Sequence, residues 1–222
     1  MKFNLISLET ADSTNEEAKR LIAAGAGEGT AVLSKRQTAG RGRGAHVWES
    51  PIGGVFLSVI VDYPALSPEL ITITAGVAAA RVLHAEIKWV NDIILNGKKL
   101  CGILAESYAG MAVVGFGVNV NNEVFDGKIA TSLLIERGKS FSEREIAEKI
   151  AEEFFGIYKS PFSGILKEYK GLCLTLNKRV SFTQNGEILS GIAVDLDERA
   201  NLLVETQKGI TRLFAGEVSV KI

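Results

Sequence analysis

The residues best suited to chemistry lie between Lys35 and Trp48, in the sequence Lys-Arg-Gln-Thr-Ala-Gly-Arg-Gly-Arg-Gly-Ala-His-Val-Trp. Four cations and no anion occur there, among three alternating glycines, Gly40, Gly42 and Gly44. Glycine lets the main chain adopt positive φ and approach a ligand closely. The guanidinium groups of Arg41 and Arg43 offer planar sets of donors to a carboxylate or a phosphate. This stretch, the arginine loop, therefore predicts a flexible anion-binding site.

Other interpretations of the arginine loop differ in how well the sequence supports them. A solvated, charged turn stays open on this stretch alone. A Walker phosphate loop is excluded because no Gly-Lys-Ser/Thr follows. Gly40-x-Gly42-x-x-Ala45 approaches the dinucleotide fingerprint, which requires a helix to begin there. Instead a β-rich run follows at 55–61, so a Rossmann turn is excluded.

A second informative stretch runs from Ile87 to Glu106. Lys88, Asn91 and Asp92 interrupt apolar β sequence, where burying them unpaired would be costly. Asn96-Gly97 between the apolar runs predicts a hairpin. The lysines beside this turn, Lys98 and Lys99, are either a solvated pair or functional cations.

Two further segments combine small or hydroxyl residues with a predicted element. The apolar strand 111–120 contains Gly115 and Gly117, which indicates a bulge or the close approach of another group. Ser13 and Glu16 have the spacing of a capping box. Ser13 and Thr14 are therefore either a helix cap or hydroxyls that also face a ligand.

Composition restricts the class of protein. An apolar fraction of 46% over 222 residues is enough for a core. A net charge of −1 and a pI near 6.2 argue against a general nucleic-acid binder.

Cys101 and Cys173 are too far apart for a Cys-x-x-Cys motif, so neither zinc nor a disulfide framework is predicted. No apolar run is long enough for a bilayer, and the N-terminus shows no secretory leader; we expect a cytoplasmic protein.

These residues need elements to position them, and periodicity predicts an α+β chain. Strands are expected at 3–8, 30–34, 55–61 and 111–120. Helices are expected from Ser13 to Gly25, from Ser67-Pro68 to His84, from the Ser142–Glu145 capping box through Ile157, and from Pro161 to Gly171. From Leu174, short strands at 179–183, 187–196, 202–206 and 211–220, with turns such as Asn185-Gly186, predict a small antiparallel barrel that packs on the main domain.

The motifs together resemble those of biotin protein ligases, in the expected order. They are Gln37 with Ala39 to Arg43 and Trp48, Lys88-Trp-Val-Asn-Asp92, Lys99-Leu-Cys-Gly-Ile-Leu104, Gly115-x-Gly117-x-Asn119, and Ala130-Thr-Ser-Leu133. The ending 216–219 is also similar to the family. The resemblance implies a class II aminoacyl-tRNA-synthetase-like catalytic domain, a mixed sheet flanked by helices, at 1–173. An SH3-like C-terminal domain is implied at 174–222.

The resemblance also implies a reaction. Biotin and ATP give biotinyl-5′-AMP and pyrophosphate, and a lysine of a biotin carboxyl carrier protein domain then displaces AMP. Mg²⁺, a homodimer and the absence of DNA and membrane partners are expected. Some relatives carry an N-terminal DNA-binding domain and act as repressors; the catalytic pattern here begins by Phe3, so none is expected. Lipoate or octanoate ligases and transferases share the fold but lack this arginine loop, and remain the alternative. A binding module formed by the C-terminal barrel alone would leave the arginine loop unexplained.

Site residues follow from the same resemblance. Arg43 and Lys99 are the expected catalytic cations. Biotin is expected to contact Ser13, Thr14, Asn15, Gln37, Gly40, Arg41, Arg43, Trp48, Lys99 and Gly102. The nucleotide is expected to contact Arg43, His46, Trp48, Lys88, Asn91, Asp92, Asn119, Thr131 and Ser132, with Asp92 also at the Mg²⁺. Lys88 positions either the acceptor lysine or Asp92.

The chain departs from the family pattern at three places. Val90 stands where proline is usual, which would relax the turn without removing a functional side chain. Ala45-His46 stands where glycine and a basic residue, often arginine, are usual. If that arginine binds phosphate, His46 would replace it only when protonated. Arg199-Ala-Asn201 lacks the usual glycine of the Asp-x-x-Gly turn.

Overall fold

The computed structural model describes residues 2–44, 46–62, 68–123, 129–184 and 186–214. The elements in the first half are β1 (Asn4–Leu8), α1 (Thr14–Ala23), β2 (Thr30–Ser34), β3 (Gly54–Asp62), α2 (Pro68–Leu83), β4 (Glu86–Lys88), β5 (Asp92–Leu95), β6 (Lys98–Tyr108) and β7 (Met111–Asn119). The second half contains α3 (Leu133–Arg137), α4 (Glu143–Ile157), α5 (Phe162–Leu172), β8 (Arg179–Gln184), β9 (Glu187–Leu196), β10 (Leu202–Thr206) and β11 (Gly209–Leu213). Ala45, Ser67, Asn185 and the 216–219 motif lie outside the described residues.

The main domain is built on a seven-stranded mixed sheet in the order β1-β2-β3-β7-β6-β5-β4. Only β1 and β2 pair in parallel; the remaining neighbours are antiparallel. The Asn96-Gly97 pair forms the predicted hairpin, with φ values of 50° and 77°. Two positive φ values are typical of the tight turn that joins strands of natural twist. The mixed sheet flanked by helices is confirmed.

Side chains alternate between the two faces of this sheet. On one face, apolar residues of β3, β6 and β7 pack with α2, α4 and α5 into the main core. On the other, Val32, Ile60 and Val113 pack against Ala18 of α1 in a smaller cluster. Because α1 covers only part of its face, the rest of that face is left for loops.

Helix α1 begins at the residue that the sequence predicted, but the predicted capping hydrogen bonds are not formed. Ser13 is the N-cap, yet its side chain makes no capping hydrogen bond, so the capping box with Glu16 is wrong. Asp12 Oδ1 accepts from the Ser13 N–H at 2.7 Å, in the place of the Glu16 carboxylate. Glu16 instead accepts from Lys19 and Arg41. Gly25 ends α1 with φ 96°, as the sequence predicted.

The later helices follow the sequence closely. Ser142 Oγ accepts from the Glu145 N–H at 3.2 Å and caps α4. His84 follows the last residue of α2 with φ 47° and is exposed, in agreement with a helix-terminus role. No helix in the described part of the chain is long and apolar enough to cross a bilayer.

The C-terminal strands form a four-stranded antiparallel sheet in the order β11-β10-β9-β8. Its apolar residues join the core of the main domain, so the predicted packing is confirmed. Its closure into a barrel stays a prediction, since residues 215–222 are not described, and so does the domain boundary at 173/174.

Trp89 joins the C-terminal sheet to the turn between β4 and β5. Its indole N–H donates to Ala200 O at 2.9 Å, and its main-chain N–H donates to Thr175 Oγ1 at 2.9 Å. The Trp89–Val90 peptide bond is cis. The two hydrogen bonds tie the segment that carries Asn91 and Asp92 to Thr175, before β8, and to Ala200, in the turn between β9 and β10.

Candidate active site

Three glycines make an open surface, the glycine floor, on the α1 face of the sheet: Gly102, Gly115 and Gly117. In the strand register Gly117 lies between Phe56 and Gly102, and Gly102 pairs onward with Asp92. In the next row Gly115 pairs with Ser58 and Leu104. With no Cβ atoms in this part of the sheet, other groups can approach its backbone closely.

The arginine loop folds over this floor as a small hairpin. Arg41 pairs with Val47 in an antiparallel bridge, and the Gly42 N–H donates to His46 O at 2.8 Å. The Trp48 N–H donates to Gly40 O at 3.0 Å. Gly44, with φ 65°, lies at its tip. The loop then enters β3, which confirms the exclusion of a Rossmann turn.

The Trp48 indole lies directly on the glycine floor. A Cβ built on Gly117 would come within 2.5 Å of Trp48 Cε2, and one on Gly102 within 2.8 Å of Trp48 Cζ3. Glycine is therefore required at both positions for this contact. Among the described residues, Trp48 Nε1 and Asn122 Oδ1 are the buried side-chain polar atoms without a hydrogen-bond partner. An unpaired buried donor or acceptor is costly, so both atoms are candidates for ligand contacts.

One end of the floor is closed by a chain of polar contacts from α1 to the arginine loop. Ser58 Oγ donates to Asn15 Oδ1 at 2.6 Å and lies 2.8 Å from Thr14 Oγ1. Gln37 Oε1 accepts from the Thr14 N–H at 2.8 Å, while Gln37 Nε2 donates to Ser50 Oγ at 2.8 Å. Ser58 is fully buried. These mutual contacts fix each amide and hydroxyl in one orientation.

Beside this end, Arg41 is held by two carboxylates. Its Nη2 donates to Glu106 Oε1 and Oε2 at 3.1 Å each, and it also donates to Glu16. Burial alone would raise the pKa of Glu106, but hydrogen bonds from Asn15 and Lys19 and the charge of Arg41 lower it overall. Glu106 is thus an anion at neutral pH.

The other end of the floor carries opposite charges in contact. Lys99 Nζ lies 2.7 Å from Asp92 Oδ1 and 5.3 Å from the centre of the Trp48 ring. Asn91 is fixed beside them, since its Nδ2 donates to Ile103 O at 2.9 Å. Burial lowers the pKa of Arg43, and the negative charge of Asp92 acts in the opposite direction. Arginine nevertheless stays protonated in proteins, so this end holds two cations and one anion.

These residues surround a single cavity of about 630 Å³, a volume suited to a ligand of small-molecule size. Of the predicted residues, the cavity is lined by Ser13, Thr14, Asn15, Gln37, Arg41, Arg43, His46, Trp48, Asn91, Asp92, Lys99, Gly102 and Asn119. The structure thus brings together residues that are separated by up to about half of the chain.

Four predicted residues do not line this cavity: Gly40, Lys88, Thr131 and Ser132. Gly40 lies at the base of the loop hairpin, where a Cβ would be 2.3 Å from Trp48 O. Thr131 Oγ1 donates to Glu136 at 2.6 Å, and Ser132 Oγ donates to Asn122 O at 2.6 Å. Both hydroxyls are fully buried. Their contacts with a nucleotide stay a prediction.

Sequence reasoning missed several residues of the site. Ser58, Ser50 and Glu106 support residues that line the cavity, while Asn122 and Phe116 line it directly. Ser58 interrupts an apolar strand, and that signal could have been noticed. Glu106 carried no local signal, because its partners lie 65 to 91 residues away.

The mixed sheet and the arginine loop were predicted from the sequence motifs, and the group that approaches the strand glycines closely is Trp48 of that loop. A model of the Biotin/lipoate A/B protein ligase family matches residues 8–122, and one of the Biotin protein ligase C terminal domain matches residues 175–221. The chain belongs to the biotin/lipoate A/B protein ligase family, among the biotin protein ligases.

Comparison with individual relatives supports the same family. The chain is 34% identical to the Bifunctional ligase/repressor BirA of Bacillus spizizenii, over 98% of this chain and 74% of that protein. It is 28% identical to the Biotin–[acetyl-CoA-carboxylase] ligase of Mycobacterium tuberculosis, over 93% and 85% of the two chains. The structure is similar to that of a biotin protein ligase from Aquifex aeolicus in complex with biotin and ATP, with a TM-score of 0.86, 27% identity and 98% of each chain covered.

Proposed function

We propose that this protein activates biotin with ATP to biotinyl-5′-AMP and then transfers biotin to a lysine of a biotin carboxyl carrier protein domain. The observation that carries the proposal is the division of the cavity. One end is a set of fixed neutral polar groups around Gln37, and the other holds the cations Arg43 and Lys99. Biotin has the same division, with a neutral ureido ring at one end and a carboxylate at the other.

The reaction does not require a covalent nucleophile from the protein. The biotin carboxylate attacks the α-phosphorus of ATP, the bond to the β,γ-pyrophosphate breaks, and a mixed anhydride remains. The acceptor amine then attacks the carbonyl carbon and AMP leaves. Both steps concentrate negative oxygen atoms, so the enzyme needs alignment and fixed positive charge. The cavity lining supplies both the alignment and the fixed positive charge.

We assign the roles by position in the cavity. Thr14, Asn15 and Gln37 are placed to bind the ureido ring, and Trp48 is placed to cover the ligand on the glycine floor. Lys99 and Arg43 would neutralise the carboxylate and the phosphate between which the new bond forms. The unpaired Asn122 Oδ1 and Asn119 lie on the part of the lining that we assign to the nucleotide.

Mg²⁺ belongs to the proposal as the ion that accompanies ATP. Asp92 is the carboxylate best placed to hold it, and Asn91 and Asn119 supply further oxygen atoms to the lining. The nucleotide phosphates and water would supply the remaining ligands, as is usual for Mg²⁺. When bound, Mg²⁺ would neutralise phosphate charge, and Lys99 would then be released from its pairing with Asp92.

Three further expectations belong to the same proposal. The acceptor would be a carrier domain of the kind that the mycobacterial relative's name indicates, acetyl-CoA carboxylase. We also propose a cytoplasmic homodimer, and analytical ultracentrifugation across a concentration series tests the dimer. Lys88 would act outside the cavity, on the acceptor lysine or on Asp92.

Mass spectrometry of a purified carrier domain incubated with the enzyme, MgATP and biotin tests the proposal. We expect one added biotin on one lysine, dependent on ATP. Parallel reactions with lipoate and octanoate test the alternative within the family. An unmodified carrier, or modification by lipoate in preference to biotin, would contradict the proposal.

A further inference from the structure

The Glu106 carboxylate is the point at which the arginine loop and α1 meet. Asn15 Nδ2 donates to Glu106 Oε2 at 2.8 Å, and Lys19 Nζ lies 3.0 Å from Oε1. Arg41 Nη2 lies 3.1 Å from both oxygens. One side chain of β6 therefore holds a residue of the loop and two residues of the helix.

The position of Glu106 separates it from direct ligand contact. It does not line the cavity, whereas its partners Asn15 and Arg41 do. Its side chain is only 23% exposed, compared with 44% for Arg41. A partly buried carboxylate with several donors is held more firmly than a fully exposed ion pair. Any effect of Glu106 on a ligand must pass through these two neighbours.

The charges around Glu106 are balanced. Glu16 accepts from Lys19 at 2.9 Å and also from Arg41. Two carboxylates and two cations thus form a closed cluster, and the guanidinium of Arg41 is committed to protein carboxylates. The sequence predicted that Arg41 would contact the ligand, and this stays a prediction because Arg41 lines the cavity; its present contacts also fasten the loop.

Asn15 continues the connection into the cavity. Its Oδ1 accepts from Ser58, and its Nδ2 donates to Leu104 O at 3.3 Å as well as to Glu106. A Cβ on Gly115 would lie 2.4 Å from Asn15 Oδ1, so the amide is packed on the glycine floor. Its orientation is thereby set from both sides.

We infer that Glu106 is a positioning residue that fixes Asn15 and fastens the arginine loop through Arg41, so that the biotin-binding end of the cavity is formed before the ligand arrives. The inference rests on the proposed function. Preorganisation lowers the ordering cost of binding, so loss of Glu106 acts on biotin affinity rather than on the chemical step. The opposite arrangement, in which Arg41 must leave Glu106 to reach the ligand, predicts tighter binding when Glu106 is neutralised.

The experiment measures biotin affinity by calorimetry, and kcat and KM for carrier biotinylation, in a double-mutant cycle of Glu106→Gln and Arg41→Ala. We expect each single variant to weaken biotin binding about tenfold, the size of one charge-assisted hydrogen bond. The double variant is expected to lose clearly less than the hundredfold that two independent changes would give, because both changes remove the Glu106–Arg41 contact. At saturating biotin, kcat and the KM for ATP of Glu106→Gln stay near wild type. Arg41→Lys, which keeps the charge, restores part of the affinity.

Glu168→Gln is the matched control, because it removes an ion pair with Arg81 between helices far from the cavity; biotin affinity stays unchanged. Thermal unfolding of each variant shows that it is folded. Unchanged or tighter biotin binding by Glu106→Gln overturns the inference, and so do additive effects of the two changes. In those cases a wild-type protein that binds and transfers biotin leaves the proposed function intact. If the wild-type protein binds no biotin, both the inference about Glu106 and the proposed function are overturned.

Discussion

Lys99 and Asp92 form an ion pair in the lining of the cavity, with Nζ 2.7 Å from Oδ1 and both side chains about one-quarter to one-third exposed. They lie on adjacent strands, β6 and β5, so the strand pairing itself sets their separation. The main chain of Lys99 is also fixed, since its N–H donates to Ile129 O and its carbonyl accepts from the Thr131 N–H, both at 2.9 Å. In the proposed reaction Asp92 holds this cation until the substrates arrive.

Lys99→Met is expected to lower the rate of adenylate formation by about 10²–10³, the usual effect of removing one preorganised charge contact. Lys98→Met is the control, because Lys98 is the next residue and its Nζ lies 3.6 Å from Glu136, away from Asp92. The rate of adenylate formation by Lys98→Met should stay within about twofold of wild type. Pyrophosphate release in a single turnover measures this rate for both variants. Equal losses in the two variants would show that charge near the hairpin, rather than Lys99, is what matters.

Arg43→Ala is expected to bind biotin but to release biotinyl-5′-AMP faster, because a cation that holds the phosphate is gone. The free adenylate would then label lysines of a bystander protein such as albumin. Arg36→Ala changes an exposed arginine of the same loop that does not line the cavity, and should not leak. Labelling of the bystander at the wild-type level by Arg43→Ala would refute this role.

Gly117→Ala is expected to displace Trp48 from the glycine floor, since the added methyl would lie 2.5 Å from the indole. We expect at least a tenfold loss of biotin affinity, the scale of one overpacked contact. Gly156→Ala in α4 is the control, because a Cβ there meets nothing within 4 Å. It should stabilise the protein by up to about 1 kcal/mol. Trp48 fluorescence and calorimetry report the result, and unchanged binding by Gly117→Ala would disprove the contact.

Glu28 should contribute to the acid dependence of stability. Hydrogen bonds from Lys159 and Tyr158 lower its pKa below 4.5, with the Lys159 contact at 2.7 Å. A carboxyl with a depressed folded pKa stabilises the fold above its unfolded pKa, and this contribution is lost as the pH falls through the folded value. Glu28→Gln should therefore lower the unfolding free energy at pH 7 by about 1 kcal/mol and flatten its decline below pH 4.5.

Denaturant unfolding between pH 3 and 7 measures this effect. Glu152→Gln, an exposed position on α4, is the control and should follow the wild-type curve. A Glu28→Gln curve parallel to wild type through the acid range would contradict the assignment.

Local sequence predicted most strands and the four longer helices but not α3 (Leu133–Arg137), and the resemblance to the family supplied the predicted cavity lining. Gly40 to Arg43 and Lys99 to Gly102 were recognisable because their chemistry is contained in short motifs. Asn96-Gly97 and Gly25 were recognisable because few other residues fit positive φ. Ser58 and Glu106, which hold residues of the site in place, were not recognisable from the sequence. Their partners are distant in sequence, and only the sheet register brings them near.

The wrong capping box shows how possible hydrogen-bond partners compete for one group. Ser13 has the sequence of a cap, but Asp12 accepts from its N–H and the Glu16 carboxylate is drawn to Arg41. Thr131 and Ser132 also have partners that the sequence does not show, since their hydroxyls donate to Glu136 and Asn122 O; their contacts with a nucleotide stay a prediction. Short motifs specify which groups are present, whereas packing decides which partner each group takes.

Biotin-dependent exchange of labelled pyrophosphate into ATP, without any carrier domain, tests most directly whether the cavity joins a carboxylate to the α-phosphate. We predict exchange that requires both biotin and Mg²⁺, that lipoate does not replace, and that falls at least a hundredfold in Lys99→Met while Lys98→Met keeps it. Exchange that is absent with biotin, or that is equally fast with lipoate, would contradict the account.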